Sequence, residues 1–162
     1  MFYLDKFYEK ALNLKIELVY TEKGLVYLGI NEFAPPKFVP PKKNLIPCAY
    51  PRFRKACRTY FTGKEREREF DFPLDLRTTA FKYQVYQQLL KIPYGQVCTY
   101  KDVASSLGKP KAPRAIGQAV KANPLPLVIP CHRVIAKKGL GGFSLGLELK
   151  KQLLELEHNA YK

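Results

Sequence analysis

Three prolines, Pro124, Pro126 and Pro130, punctuate an apolar run that leads directly into Cys131. Proline fixes φ, has no amide donor and biases the residue before it away from helix. The run is therefore excluded from a helix and reaches Cys131-His132-Arg133-Val134 along an extended path. A second proline-dense stretch, with Pro35, Pro36, Pro40, Pro41, Pro47 and Pro51, reads as a loop.

Regular structure is expected between these stretches. After a short apolar opening, Lys15–Tyr20 and Gly24–Ile30 are rich in β-branched and aromatic residues and flank Thr21-Glu22-Lys23-Gly24, which reads as a β-hairpin. Arg52–Phe61 is expected to be a short helix ended by Gly63, Glu65–Phe72 a third, edge-like strand, and 73–79 a linker. Beyond the linker the period becomes helical. Phe81, Val85 and Leu89, joined by Tyr86 and Leu90, define an amphipathic helix closed by Pro93 and Gly95. Lys101–Leu107 and Pro113–Ala122, separated by Gly108–Ala112, resemble a helix-turn-helix, and Lys137–Gly142 is a basic loop placed like a wing. Leu147–Glu157 is a closing amphipathic helix. The expected class is α+β: residues 1–72 form a small N-terminal α/β support domain with a short antiparallel sheet, and residues 80–162 a mainly helical domain that carries the site.

Charge narrows the partner. Residues 77–138 hold eleven basic residues against one acid, Asp102, within a chain of net charge +14. Such a segment faces a polyanion or serves solubility alone; charge by itself supplies affinity and no mechanism. The four cysteines contain no C-x-x-C pair and only two histidines accompany them, so neither a metal nor another cofactor is expected. Cys48 and Cys57 read as reduced structural residues, with a disulfide as the alternative in an oxidising compartment. No run approaches a membrane span and the opening residues lack a signal-peptide pattern, so the expected location is cytoplasmic.

The reactive candidate is Cys131. A thiol reacts as thiolate and needs a base or a positive environment. His132 and Arg133 adjoin it, but sequence neighbours point apart, so proton transfer to His132 needs a turn or a bridging water; the water relay is the preferred arrangement. The imidazole would in turn need an acceptor, and Glu157 is one of only three acids after Asp102. A buried inert cysteine beside a surface histidine is the plain alternative.

Ile129-Pro130-Cys131-His132-Arg133-Val134-Ile135 closely resembles the active-site signature of the O6-alkylguanine-DNA alkyltransferases, with Tyr100, Arg114 and Asn123-Pro124 at matching separations upstream. The similarity runs from about Thr79 to Glu157; before it the likeness is loose, mainly through Phe72-Pro73-Leu74-Asp75-Leu76. The resemblance implies a ribonuclease-H-like first domain and a winged helix-turn-helix second domain. It further implies that Cys131 takes an alkyl group from guanine O6, or thymine O4, once and irreversibly, as a thioether. His132, a water and Glu157 would form the relay, Asn123 would orient the loop, and Tyr100, with Lys150 in support, would donate to the guanine ring. Val134, Phe143, Ser144 and Leu145 would line the substrate pocket. Arg114 would fill the gap left by a flipped base, and Ala115, Gly117, Ala119, Lys121 and Arg133 would meet double-stranded DNA in the minor groove. The protein is expected to act as a monomer, away from membranes. Phe143-Ser144-Leu145-Gly146 replaces the family's common Tyr-Ser-Gly-Gly, so Leu145 is expected to narrow the pocket and favour methyl over benzyl adducts.

Simpler readings remain: Tyr100 as a core aromatic, Asn123 as a helix C-cap and Glu157 as a solvated helix residue. Two other functions stand beside repair, a non-catalytic alkyl-lesion-binding module and a winged helix-turn-helix transcription regulator. Family modules of the first kind lack the cysteine, and the second gives Cys131, His132 and Glu157 no common purpose.

Overall fold

The computed structural model describes residues 1–63 and 70–159. It divides into two compact units, Met1–Arg77 and Thr78–Lys162, each described here by itself.

In the first unit, β1 (Tyr3–Glu9), β2 (Leu14–Thr21) and β3 (Gly24–Ile30) form an antiparallel meander. The expected hairpin is β2–β3. The strand β1 was legible only as a short apolar stretch, because Asp5, Lys6 and Glu9 blur its pattern. Asp5 is tolerated at 1% exposure because the Arg54 guanidinium forks onto its carboxylate and the Tyr50 amide donates to Oδ2 at 2.9 Å. The proline-rich loop contains a two-residue strand, β4 (Ile46–Pro47), which runs parallel to β1 at the sheet edge. A proline is acceptable there because an edge position does not need its missing donor. The helix α1 (Pro51–Thr62) buries Phe53, Ala56, Cys57, Tyr60 and Phe61, and Gly63 ends it in the left-handed conformation at φ 64°. Of the expected third strand, residues 65–69 lie outside the described residues, and Phe70–Phe72 are not in a strand.

The segment read as a linker is fastened to β3. The Leu25 amide donates to Pro73 O and the Asp75 amide to Leu25 O, both at 2.8 Å, while Thr21 Oγ1 donates to Asp75 Oδ2 at 2.8 Å. Arg77 lies over the rings of Phe2 and Phe38, so the geometric break follows it.

The second unit consists of α2 (Ala80–Leu89), β5 (Cys98–Thr99), α3 (Tyr100–Ser106), α4 (Pro113–Lys121), β6 (Val134–Ile135) and α5 (Leu147–Asn159). Local chemistry sets the starts. Thr79 Oγ1 accepts from the Lys82 amide, Thr99 and Asp102 form a capping box, and Pro113 opens α4. Asp102, the lone acid of the basic segment, is thus used as a cap. Val85, Tyr86, Leu89, Ile116, Leu125, Ile129 and Leu153 make the core. The two-residue strands β5 and β6 pair in parallel, Cys98 with Val134 and Thr99 with Ile135, which brings Tyr100 toward the chain leaving Cys131. Residues 137–142 carry bends and no strand.

Gly24 sits at φ 145°, and a Cβ there would stand 2.3 Å from Pro73 O. Gly24→Ala is expected to lower stability by more than about 2 kcal/mol, read as a lower midpoint in denaturant; an unchanged midpoint would show that residues 73–77 are not fastened to β3.

Candidate active site

The chain enters the site along a path that the prolines and one side chain fix. Asn123 Nδ2 donates to Ile129 O at 2.9 Å while its Oδ1 accepts from the Leu125 amide at 2.9 Å, so one amide side chain spans the loop from end to end. The helix C-cap is Ala122, which leaves Asn123 to this bridging task. Leu127 takes a left-handed φ of 72°, a conformation costly for a branched side chain and held here by burial. The Cys131 amide donates to Ile129 O at 2.7 Å, and Cys131–Arg133 then form a single 3-10 turn before β6.

That turn sends three consecutive side chains in different directions and buries all of them to a large degree. Cys131 is 2% exposed and His132 0%. His132 Nε2 lies 2.6 Å from Oε1 of Glu157, which α5 presents from the opposite side at 1% exposure. Glu157 is therefore an interior partner and not a solvated helix residue.

Arg133 corrects an expectation. Read as a DNA contact, it instead turns inward: Nε reaches Glu157 Oε2 at 2.9 Å, Nη2 reaches Oε1 at 2.9 Å, and Nη1 donates to Ile92 O at 2.8 Å. Its side chain is only 11% exposed, because a buried carboxylate needs a second charge-assisted donor more than the surface needs another cation. The Gly95 amide adds a 3.2 Å bond to Oε2. Neither Arg133's role nor that of the Ile92–Gly95 turn was read from the sequence, where a cation beside a reactive cysteine looks like a DNA or thiolate contact.

The electrostatics follow from burial. Burial pushes the Cys131 thiol up to about 11, against the opposing pull of Asn123 and Lys150, so it is protonated at rest. Burial raises the Glu157 carboxyl too, but bonds and charges from His132 and Arg133 outweigh it and bring the group down to about 2. His132 is held below its ordinary value by burial, with Arg133 and Lys150 adding to that and Glu157 opposing it. The site thus pairs a neutral thiol with a neutral imidazole backed by an ionised carboxylate.

A pocket of about 320 Å³ opens in this unit, lined by Tyr100, Gly117, Val120, Lys121, Gly142, Phe143 and Ser144. Cys131, Val134 and Leu145 are not in its lining. Leu145, expected to narrow the rim, is half-buried outside this lining, whereas its neighbours Phe143 and Ser144 belong to it. Lys150 ties the pocket to β6, the strand that follows the cysteine's turn: fully buried, it donates to Val134 O at 2.6 Å and to Gly142 O at 3.0 Å. Tyr100 Oη donates weakly to the same Gly142 carbonyl at 3.5 Å, and burial pushes its hydroxyl pKa up, keeping it a neutral donor. Gly141, at φ 73°, lets the loop close on this ring, since a Cβ would meet the Tyr100 ring and hydroxyl at 3.0 Å.

The outer face of α4 carries Arg114, Ala115, Gln118 and Lys121, all exposed, with Gly117 partly so. Ala119 does not belong to that face. It is 1% exposed, and its carbonyl accepts from Tyr86 Oη at 3.0 Å, because the helical period turns it toward the core. Among the described residues no cluster of His, Cys, Asp or Glu is arranged to hold a metal, and all four cysteines are free.

The profile of the 6-O-methylguanine DNA methyltransferase DNA-binding domain matches residues 80–159. A methylated-DNA–protein-cysteine methyltransferase of Metallosphaera sedula is 47% identical over 108 residues, 67% of this chain and 67% of that protein. One of Saccharolobus solfataricus is 52% identical over 99 residues, 60% of this chain and 62% of that protein, so the match spans about three fifths to two thirds of such relatives. Among solved structures, the Mycobacterium tuberculosis O6-methylguanine methyltransferase is similar at TM-score 0.85 and 33% identity, covering 99% of this chain and 94% of that one.

The Glu157 environment makes a prediction in acid. A carboxyl whose folded value lies below its ordinary 4.5 contributes stability that is complete above that value and lost as pH falls toward the folded value of about 2. The stability difference between the natural protein and Glu157→Gln is therefore expected to shrink between about pH 4.5 and pH 2 in denaturant titrations. A constant difference across that window would contradict the burial and pairing of this group.

Proposed function

Because the chain belongs to the 6-O-methylguanine DNA methyltransferase family, we propose that it repairs DNA by direct reversal, moving an alkyl group from guanine O6, and in principle thymine O4, to Cys131. The observation that carries this reading is the buried sequence Cys131–His132 backed by Glu157 at 2.6 Å, in the same unit as a base-sized pocket that Lys150 links to β6, the strand that follows the cysteine's turn. The Mycobacterium tuberculosis protein has also been solved in complex with DNA, at TM-score 0.84 and 32% identity to this chain.

With its proton in place the thiol is inert, which suits a residue that must wait for damage. When an alkylated base occupies the pocket, the thiol proton passes through a water to His132, whose resulting charge Glu157 stabilises. The sulfur attacks the alkyl carbon as the carbon–O6 bond breaks, leaving a thioether on Cys131. The electrons released to the purine are matched by a proton shared from the Tyr100 hydroxyl, itself held near Gly142 O and Lys150. A thioether is not hydrolysed by water, so each molecule acts once.

Delivery of the base falls to α4. Its exposed Arg114, Ala115, partly exposed Gly117 and Lys121 give a small-residue surface flanked by cations, suited to close approach in the minor groove while the damaged nucleotide is extruded. Arg114, exposed near the helix start, is the residue we assign to the vacated stack. We assign the protein as a monomer acting on double-stranded DNA in the cytoplasm; among the described residues no helix is long and apolar enough to cross a membrane. A lesion-binding module or a transcription regulator leaves the buried thiol relay without use.

Incubation with an O6-methylguanine oligonucleotide is expected to add the mass of one methyl to the peptide holding Cys131, and nothing to Cys131→Ala. Binding without a mass change would instead favour the binding module. Arg114→Ala is expected to slow transfer from duplex DNA at least about tenfold while sparing transfer from the free base; equal losses on both would remove its role in extrusion.

A further inference from the structure

Arg133 sits next to the reactive pair, yet its side chain is absent from the pocket lining and points away from the surface. Its whole donor fork is spent on two targets: both oxygens of Glu157, at 2.9 Å each, and Ile92 O at 2.8 Å. Oε1 of Glu157 is thereby shared between Arg133 and His132 Nε2. We infer that Arg133 is a positioning residue of the proton relay: it fixes the plane of the Glu157 carboxylate and takes part of its charge, so that His132 meets the thiol as a neutral base. This rests on the alkyl-transfer reading above.

The physical case lies in how a buried carboxylate divides itself. A carboxylate facing only His132 would favour the imidazolium, and an imidazolium at rest has no capacity to accept the proton of Cys131. A guanidinium is permanently charged and its planar fork matches both carboxylate oxygens, so it holds the anion without taking the proton and competes with the imidazole for it. Among the described residues, the charged and titratable groups around His132 include Glu157 and Lys150 from α5, with Arg133 and Cys131 on either side of it in the turn. Of these only Glu157 favours protonation of the imidazole; burial, Arg133 and Lys150 oppose it, in line with the lowered His132 value. The same arginine anchors the relay to the turn after α2, where the Gly95 amide also meets Oε2. A lysine in this place offers one point charge and cannot span the two oxygens and the Ile92 carbonyl together.

The test compares the natural protein with Arg133→Gln and Arg133→Lys by two readouts. Imidazole resonances of His132, followed against pH with no DNA present, are expected to titrate at higher pH in Arg133→Gln and close to the natural protein in Arg133→Lys. Single-turnover methyl transfer in Arg133→Gln is expected to lose at least about threefold more at pH 6 than at pH 8.5. An unmoved His132 titration together with equal losses at both pH values would make Arg133 merely structural and overturn the inference. Because the resonances are read without substrate, a shifted imidazole together with no methyl transfer by the natural protein would instead sink the alkyl-transfer reading. Should Arg133→Gln fail to fold, Arg133→Gln combined with Glu157→Gln removes both buried charges. Its transfer rate is then expected to equal that of Glu157→Gln alone, and a further loss would show that Arg133 acts by a route other than Glu157.

Discussion

One buried negative charge organises the second unit. Glu157, 1% exposed, would be prohibitive without partners, and it has them from every side: His132, the Arg133 fork and the Gly95 amide. The partners come from two pieces of chain and the carboxylate from a third. The 3-10 turn supplies two consecutive residues, the segment after α2 supplies Gly95, and α5 supplies the carboxylate. Satisfying that single charge therefore locks three segments together and fixes the turn that carries Cys131.

A second constraint acts from upstream. The prolines deny the run from Pro124 to Pro130 any helix, and Asn123 closes it into a defined loop with two 2.9 Å bonds. The thiol is thus placed by covalent geometry on one side and by electrostatics on the other. Lys150 extends the same logic toward the pocket, since one buried ammonium joins Val134 O to Gly142 O and so couples β6, the strand that follows the cysteine's turn, to the loop that lines the pocket. Polar atoms buried in pairs do here what apolar packing alone does poorly: they specify orientation.

Much of this was legible in the sequence where local rules dominate. The α1, α2, α3, α4 and α5 helices follow from periodicity, caps and breakers within a residue or two, and the β2–β3 hairpin from its turn. The pairing of His132 with Glu157 was legible as an imidazole in need of an acceptor with only three acids after Asp102 to supply it. What escaped depends on long-range satisfaction. β1 was obscured by Asp5, whose burial makes sense only once Arg54 is known to reach it across 49 positions. Arg133 was read outward because nothing local says that a carboxylate 24 positions later is buried and short of a donor. Ala119 was grouped with its small neighbours by composition, although the helical period alone assigns it to the inner face. Leu145 was assigned to the pocket together with its neighbours Phe143 and Ser144, which do line it, whereas Leu145 does not.

The central claim is that Glu157 acts through His132 to take the proton from a thiol that is neutral at rest. The most direct measurement is the single-turnover methyl-transfer rate of Glu157→Gln on duplex DNA, with DNA affinity determined on the same samples. The account predicts a fall of about a hundredfold or more in rate with affinity within about twofold of the natural protein. An unchanged rate in a folded Glu157→Gln would contradict it.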